Sequence, residues 1–298
     1  MNRAGVIGLG DMGSGLAKNL IQQKFETTGF DLDQQRMEAF SALGGCPAQD
    51  AAEVGRNADI VFVMVMTGGQ AKSALFGDGN NGLVSQMTSG STVILTATIK
   101  PSEAREIGEL MQGTGVNLID SPVSGGFPGA QGGTLTLMAA GMPDVMAACE
   151  PAMQAVSSTI HHVGEEAGMG QMVKACLQTL IGSIFSATFE ASVLAAKAGV
   201  SGEVLHKVFS TSGAGCSVMS TALENIIDRK FEKTGSHIAT MHKDLTISLA
   251  LAEELGVPMH MASTAMQLFH AGKTRYPDGD NWVVTRVIEE IVGAELHR

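Results

Sequence analysis

The stretch Glu166 to Val200, EAGMGQMVKACLQTLIGSIFSATFEASVLAAKAGV, contains no proline. Gly168 and Gly170 open it, and Gly199 sits just past its end, where a helix-terminating glycine belongs. Apolar residues run round every side, which predicts a helix buried on most faces. About 30 residues at 1.5 Å each span roughly 45 Å. One small domain does not need that length, so the helix is expected to join two domains and form part of both. A single charge, Lys174, stands in its apolar first half, and Gln178 follows one turn later on the same face. An ammonium on a mostly buried helix is costly without a partner or a purpose. The plain alternative is a lysine snorkelling to water. Cys176 on the same helix reads as a small buried hydrophobe.

A chain of 298 residues has enough material for two cores. Hydrophobic residues at 44% against charged residues at 16% place it among globular chains and not disordered ones. A net charge of −11 argues against nucleic acid or an anionic membrane as the main partner. The apolar run Ile60 to Met66 is far too short to span a bilayer. Cys46, Cys149, Cys176 and Cys216 are widely spaced, with no CxxC pair. No metal site is therefore expected, and reduced thiols in a cytoplasmic protein are the default. The N-terminus shows no signal pattern.

The first residues read as strand, glycine turn and helix. Ala4 to Ile7 is apolar, GLGDMG follows, and Leu16, Ala17, Leu20 and Ile21 start a helical pattern. Gly8 permits the tight turn, Gly10 lets backbone approach a pyrophosphate, and Gly13 allows close packing of helix on strand. Leu9, Asp11 and Met12 fill the motif, and the helix N-terminus offers N–H groups to phosphates. This context makes the segment a dinucleotide site. The next strand, Glu26 to Phe30, ends in Asp31-Leu32-Asp33. Asp31 stands where an acid meets the ribose hydroxyls, and with Asp33 it would repel a 2′-phosphate, so NAD is expected over NADP. Arg36 reads as a solvated helix residue.

Alternation continues through Asp59–Met66, Thr92–Leu95 and Val116–Ile119 as strands, with Asp33–Leu43, Gln70–Leu75 and Pro101–Met111 as helices. This predicts a doubly wound parallel sheet. Ligands bind at the C-terminal ends of such strands, which lines up Thr67, Thr98 and the loop from Asp120. That loop, DSPVSGGFPGAQGGTL, is too rich in glycine and proline for a core element. Ser124, Gly125 and Gly126 in it suit a backbone nest for a carboxylate, the alternative being a plain surface loop. After Val200 the pattern is helical throughout, and Lys243-Asp244 reads either as functional or as an ordinary surface pair. The expected architecture is α/β: a Rossmann-type NAD-binding domain over residues 1–165, then an all-α domain for substrate and dimerisation over 166–298, joined by the long helix.

Four motifs resemble those of the β-hydroxyacid dehydrogenases, the group that includes 3-hydroxyisobutyrate dehydrogenase. They are GLGDMGSGLAKNL, DSPVSGGFPGAQGGTL, GMGQMVKACLQTL and KDLTISLALAEELGVP, and together they cover essentially the whole chain. The resemblance implies that Lys174 is catalytic, that Ser124, Gly125 and Gly126 hold the substrate carboxylate, and that Thr98 and Lys243 contact the cofactor near its nicotinamide end. It further implies active sites in the cleft between domains, and a homodimer or homotetramer built on the helical half. Gln178 departs from the family's usual asparagine, and Ala97 from its usual serine. Gln178 and the segment Ser212–Ser217 look more like the threonate dehydrogenase branch.

The expected reaction moves a hydride between NAD and a small hydroxy carboxylic acid, threonate-like or 3-hydroxyisobutyrate-like. Lys174 serves it either as general base and acid, or as a fixed charge stabilising the developing alkoxide. Rival readings are a D-3-hydroxyamino acid dehydrogenase, an imine reductase, and an NAD-binding module without catalysis. Lys174 speaks against the last two.

Overall fold

A computed structural model describes residues 2–77 and 81–298. The chain divides into two compact units, Met1–Lys174 and Ala175–Arg298, and the division falls within one helix.

The first unit begins with β1 (Arg3–Ile7), α1 (Asp11–Gln22), β2 (Glu26–Phe30), α2 (Gln34–Ala42), β3 (Cys46–Pro47), α3 (Ala51–Asn57) and β4 (Ile60–Val63). It continues with α4 (Gly68–Phe76), α5 (Leu83–Gln86), β5 (Thr92–Leu95), α6 (Pro101–Met111), β6 (Asn117–Asp120), β7 (Val123–Ser124) and α7 (Gly126–Gly132). β8 (Leu135–Ala140), α8 (Pro143–Val156) and β9 (Ser157–Gly164) complete it, before α9 (Met169–Lys197). The strands form one sheet in the order β3-β2-β1-β4-β5-β6-β8-β7, with β9 paired to β8.

Helices cover both faces because the central strands are apolar on both. Ile60 and Phe62 of β4 join one core with Leu16, Leu20 and Met153. Val61 and Val63, the alternate residues, join a second core with Leu75, Leu83 and Ile107. Strand side chains alternate between faces, so this two-sided burial is the signature of a doubly wound sheet. Each fully buried side chain of this size contributes roughly 1.5–3 kcal/mol by removal from water.

Three expectations need correction. The strand expected over Asp59–Met66 stops at Val63, because its neighbour β1 ends at Ile7 and Met64 makes the last bond to it (N–H to O, 2.8 Å). The sheet is mixed. β8 runs antiparallel to β6 through Asp120 and Ala140, and to β7 through Val123–Leu137 and Ser124–Thr136. The chain there doubles back in a short ladder instead of crossing over a face. Within the segment read as a loop, Val123–Ser124 is a strand and Gly126–Gly132 a helix, with Gly129 and Ala130 buried.

The second unit holds the rest of α9, then α10 (Gly202–Thr211), α11 (Ser217–Ile227), α12 (Ile238–Leu255), α13 (His260–Arg275), a 3-10 turn (Asn281–Val283) and α14 (Val284–Val292). Phe185 and Phe189 of α9 enter its core with Met241, Phe269 and Trp282. Trp282 meets Phe185 edge-on with centroids 5.5 Å apart. The last helix ends at Val292 because Gly293 turns left-handed (φ 62°). By length and hydropathy alone α9 would pass for a membrane span. Its buried aromatic face instead supplies the core of the second unit. Cys176, expected to be buried, is exposed, along with Val173 and Leu180.

Candidate active site

In the first unit, the glycine turn is required by packing at two positions and left open at a third. Gly8 has φ 88°, and a Cβ there would lie 2.2 Å from the Met64 carbonyl oxygen. A Cβ on Gly13 would lie 1.8 Å from the Gly8 oxygen. At Gly10 the nearest atom to such a Cβ is Arg36 Nη1 at 3.6 Å, an ordinary contact. Nothing in the protein demands glycine at that spot, which is where a ligand's pyrophosphate would approach the backbone. Gly10 also stands at the N-cap of α1 with no side-chain cap, so the helix start keeps N–H groups for an anion. Leu9 and Met12 turn their side chains into or against the core, leaving their backbone to the loop. Asp11 opens α1.

Asp31 closes this loop. Its Oδ2 accepts from Leu9 N–H at 2.7 Å and its Oδ1 from Asp33 N–H at 2.9 Å. Arg36, read as a solvated residue, is exposed and also bridges back to Asp31 at 3.4 Å and Asp33 at 4.0 Å. A cavity opens between Leu9, Gly10, Asp11 and Ser14 on one wall and Arg36, Ala39, Phe40 and Leu43 on the other. Shape, the bare Gly10 backbone, and an acid at the end of β2 fit the adenosine end of a dinucleotide.

The other candidates in this unit follow the strand ends. Thr67 caps α4, its Oγ1 accepting from Gln70 N–H at 3.2 Å while Gln70 Oε1 accepts in return from Thr67 N–H. Thr98 is half-buried just beyond β5. Ser124 ends β7, and Gly125 (φ 127°) and Gly126 (φ 59°) adopt backbone open to glycine without strain. The helix that follows them is fastened to α1. Asn19 Nδ2 donates to Ala130 O at 2.8 Å, Lys18 Nζ to Gln131 O at 3.0 Å, and Gly15 leaves room where a Cβ would lie 2.6 Å from the Ala130 oxygen. The carboxylate-nest candidate and the nucleotide turn thus share one rigid support.

Sequence reading took Asp120 as the head of the ligand loop. It is fully buried and accepts from Gly168 N–H at 2.8 Å and Gln171 N–H at 3.3 Å, holding the start of α9. Burial pushes its carboxyl up to about 6, against these donors, which pull the other way. Lys174 is the last residue of this unit and is 6% exposed. Gln171, which sequence reading missed, lies three residues ahead of it, on the same face of the helix. The signal was the polar set 171, 174, 178 on an apolar helix.

The second unit places Gln178 and Lys243 together. Gln178 is buried, and its Nε2 donates to Asp244 Oδ2 at 2.6 Å. Lys243 Nζ lies 2.8 Å from Asp244 Oδ1. Asp244 is 3% exposed, so Lys243-Asp244 is no ordinary surface pair. Close approach of α9 and α12 makes this possible: Gly182 packs on Leu245, and Ser248 Oγ donates to Ala175 O at 2.9 Å. Among the described residues no group of three or more His, Cys, Asp or Glu is placed to hold a metal.

Comparison with known proteins bears on both units. The family described as the NAD binding domain of 6-phosphogluconate dehydrogenase matches residues 3–164, and that described as NAD-binding of NADP-dependent 3-hydroxyisobutyrate dehydrogenase matches 168–288. An L-threonate dehydrogenase of Escherichia coli K12 is 30% identical, over 96% of this chain and 95% of the relative. The chain belongs to the 3-hydroxyisobutyrate dehydrogenase family. A 2-(hydroxymethyl)glutarate dehydrogenase of Eubacterium barkeri is 28% identical, over 99% of this chain and 97% of the relative. A crystal structure of a 3-hydroxyisobutyrate dehydrogenase from Salmonella typhimurium superposes with a TM-score of 0.88 at 29% identity, covering 96% of this chain and 100% of that one. This member of the family is an NAD-dependent oxidoreductase.

Proposed function

We propose that this 3-hydroxyisobutyrate dehydrogenase family member oxidises a small, polyhydroxylated carboxylic acid of the threonate type, with NAD preferred over NADP. Residues 1–165 hold the cofactor and 166–298 serve substrate and dimerisation. The observation that carries the reading is Lys174: a lysine 6% exposed within an apolar helix, where a surface role is excluded. The names of similar dehydrogenases support the hydroxy-acid class, and the L-threonate enzymes support the branch.

NAD, when bound, would supply the hydride acceptor for the carbinol carbon. The Gly8–Gly13 turn and Asp31 bind its pyrophosphate and ribose, and the acid disfavours a 2′-phosphate. Thr67, Thr98 and Lys243 orient its nicotinamide half. Ser124, Gly125 and Gly126 hold the substrate carboxylate. Lys174 takes the hydroxyl proton on Nζ during oxidation and returns it during reduction. Gln178 receives a further hydroxyl of the substrate.

The protein acts in the cytoplasm as a homodimer or homotetramer, with the exposed apolar residues of the helical half, among them Leu194 and Val204, supporting association. Sedimentation showing only a 30.9 kDa species at micromolar concentration would refute that assembly. A panel of hydroxy acids, hydroxyamino acids and cyclic imines, each followed by NADH absorbance, tests the reaction. Turnover of threonate above 3-hydroxyisobutyrate is the expected result; turnover of imines alone would overturn it.

A further inference from the structure

Gln171 stands one turn ahead of Lys174 on α9 and is 1% exposed. Both ends of its amide are engaged. Nε2 donates to Ala97 O at 3.0 Å and to Asp120 Oδ1 at 2.7 Å, and Oε1 accepts from Ile99 N–H at 3.0 Å. Ala97 and Ile99 flank Thr98, so the amide grips that loop on either side of the threonine. Asp120 completes the arrangement by accepting from Gly168 N–H, just before α9, and from Gln171 N–H in its first turn. Gly170 lets the helix sit against these elements: a Cβ there would lie 2.5 Å from Met138 O and 2.6 Å from Asp120 O.

Three separate segments therefore meet on one side chain: the loop after β5, the end of β6 and the start of α9. Both Nε2 hydrogens are used, so the amide cannot turn over without losing bonds. Filling this space needs no polar group, and a buried amide is costly unless its bonds are made. What the amide adds over an apolar side chain is fixed geometry.

We propose that Gln171, with Asp120, is a positioning residue that sets the Thr98 loop against Lys174, so that the nicotinamide meets the carbon and the proton-transfer group the oxygen of the same carbinol. This rests on the roles given above to Thr98 and Lys174. A misplacement of about 1 Å costs as much as 10²-fold in rate, so loss of the clamp should be visible in catalysis.

The test uses the full-length enzyme with Gln171→Met, which keeps side-chain length and removes the three bonds. Dissociation constants are measured for NADH and for ADP-ribose, which lacks the nicotinamide, and kcat is measured on the best acid of the panel. The expected pattern is an NADH Kd raised about fivefold or more, an ADP-ribose Kd within about twofold of wild type, and kcat down at least about tenfold. General loosening would move both ligands together, and that result, or no change at all, overturns the proposal. If Gln171→Met does not fold, Gln171→Asn should show the same pattern at smaller size, and an unaltered ratio of the two constants there is equally fatal. A Thr98→Val enzyme keeps the two failures apart. An unchanged ratio in that variant removes Thr98 from the nicotinamide end and overturns the role given to it, whereas a raised ratio there with an unchanged one in Gln171→Met overturns the clamp alone.

Discussion

Gln178 Nε2 donates to Asp244 Oδ2 across 2.6 Å, and Gln178 Oε1 is buried with no hydrogen-bond partner among the described residues. An ionised carboxylate only accepts, so Asp244 fixes which end of the amide faces it. The end left over is an acceptor. Leaving a buried acceptor unmet costs about 1–3 kcal/mol, which a ligand donor would recover. A substrate hydroxyl or ammonium has the required proton; a methyl group has none.

Gln178→Asn should therefore cut kcat/KM on L-threonate by about tenfold or more, and on 3-hydroxyisobutyrate by less. Asparagine is one methylene shorter and cannot reach Asp244 and the ligand together. Equal losses on both acids would mean that Gln178 serves catalysis generally and does not read the extra hydroxyl.

Lys174→Ala should lower kcat by at least about 10² with NADH binding retained, the loss typical of a general acid–base group. Near-native turnover in this variant would make Lys174 a structural lysine.

Asp31 accepts from Leu9 N–H, and in the proposed function it also meets the ribose. Asp31→Ser should reduce kcat/KM for NAD by about tenfold, the worth of one charge-assisted hydrogen bond. The fall with NADP should be smaller, because a repulsive charge has gone as well. Wild-type enzyme using both cofactors equally would remove Asp31 as the discriminator.

Asp120 predicts a stability trend with a definite sign. Its folded pKa is raised to about 6, above the unfolded value near 3.9, so the folded state holds the proton more tightly. The associated stability is fully present below about pH 4 and is lost as pH rises to about 6. Unfolding free energies of wild type minus Asp120→Asn should fall over that window by about 3 kcal/mol. A flat difference would show that the carboxyl ionises normally in the folded protein.

Much of the fold could be read from the sequence because its determinants are local. A glycine turn between an apolar strand and a helix lies within some 20 residues, and so does the step to Asp31. The long helix, its start near Gly168 and its stop at Gly199, follow from the same short-range rules. Lys174, as the lone charge in the apolar first half of that helix, was legible as a candidate on cost alone. Tertiary structure decided what depends on distant partners. Gln171 meets Ala97 and Asp120 across 74 and 51 residues, and Gln178 meets Asp244 across 66. Periodicity carries no record of such pairings, since a buried amide and a solvated one look alike in a string. For the same reason the reversed strand β8, the helix inside the glycine-rich segment and the exposed Cys176 escaped the sequence. Each is fixed by which surface packs against it, and that is known only once the chain has folded.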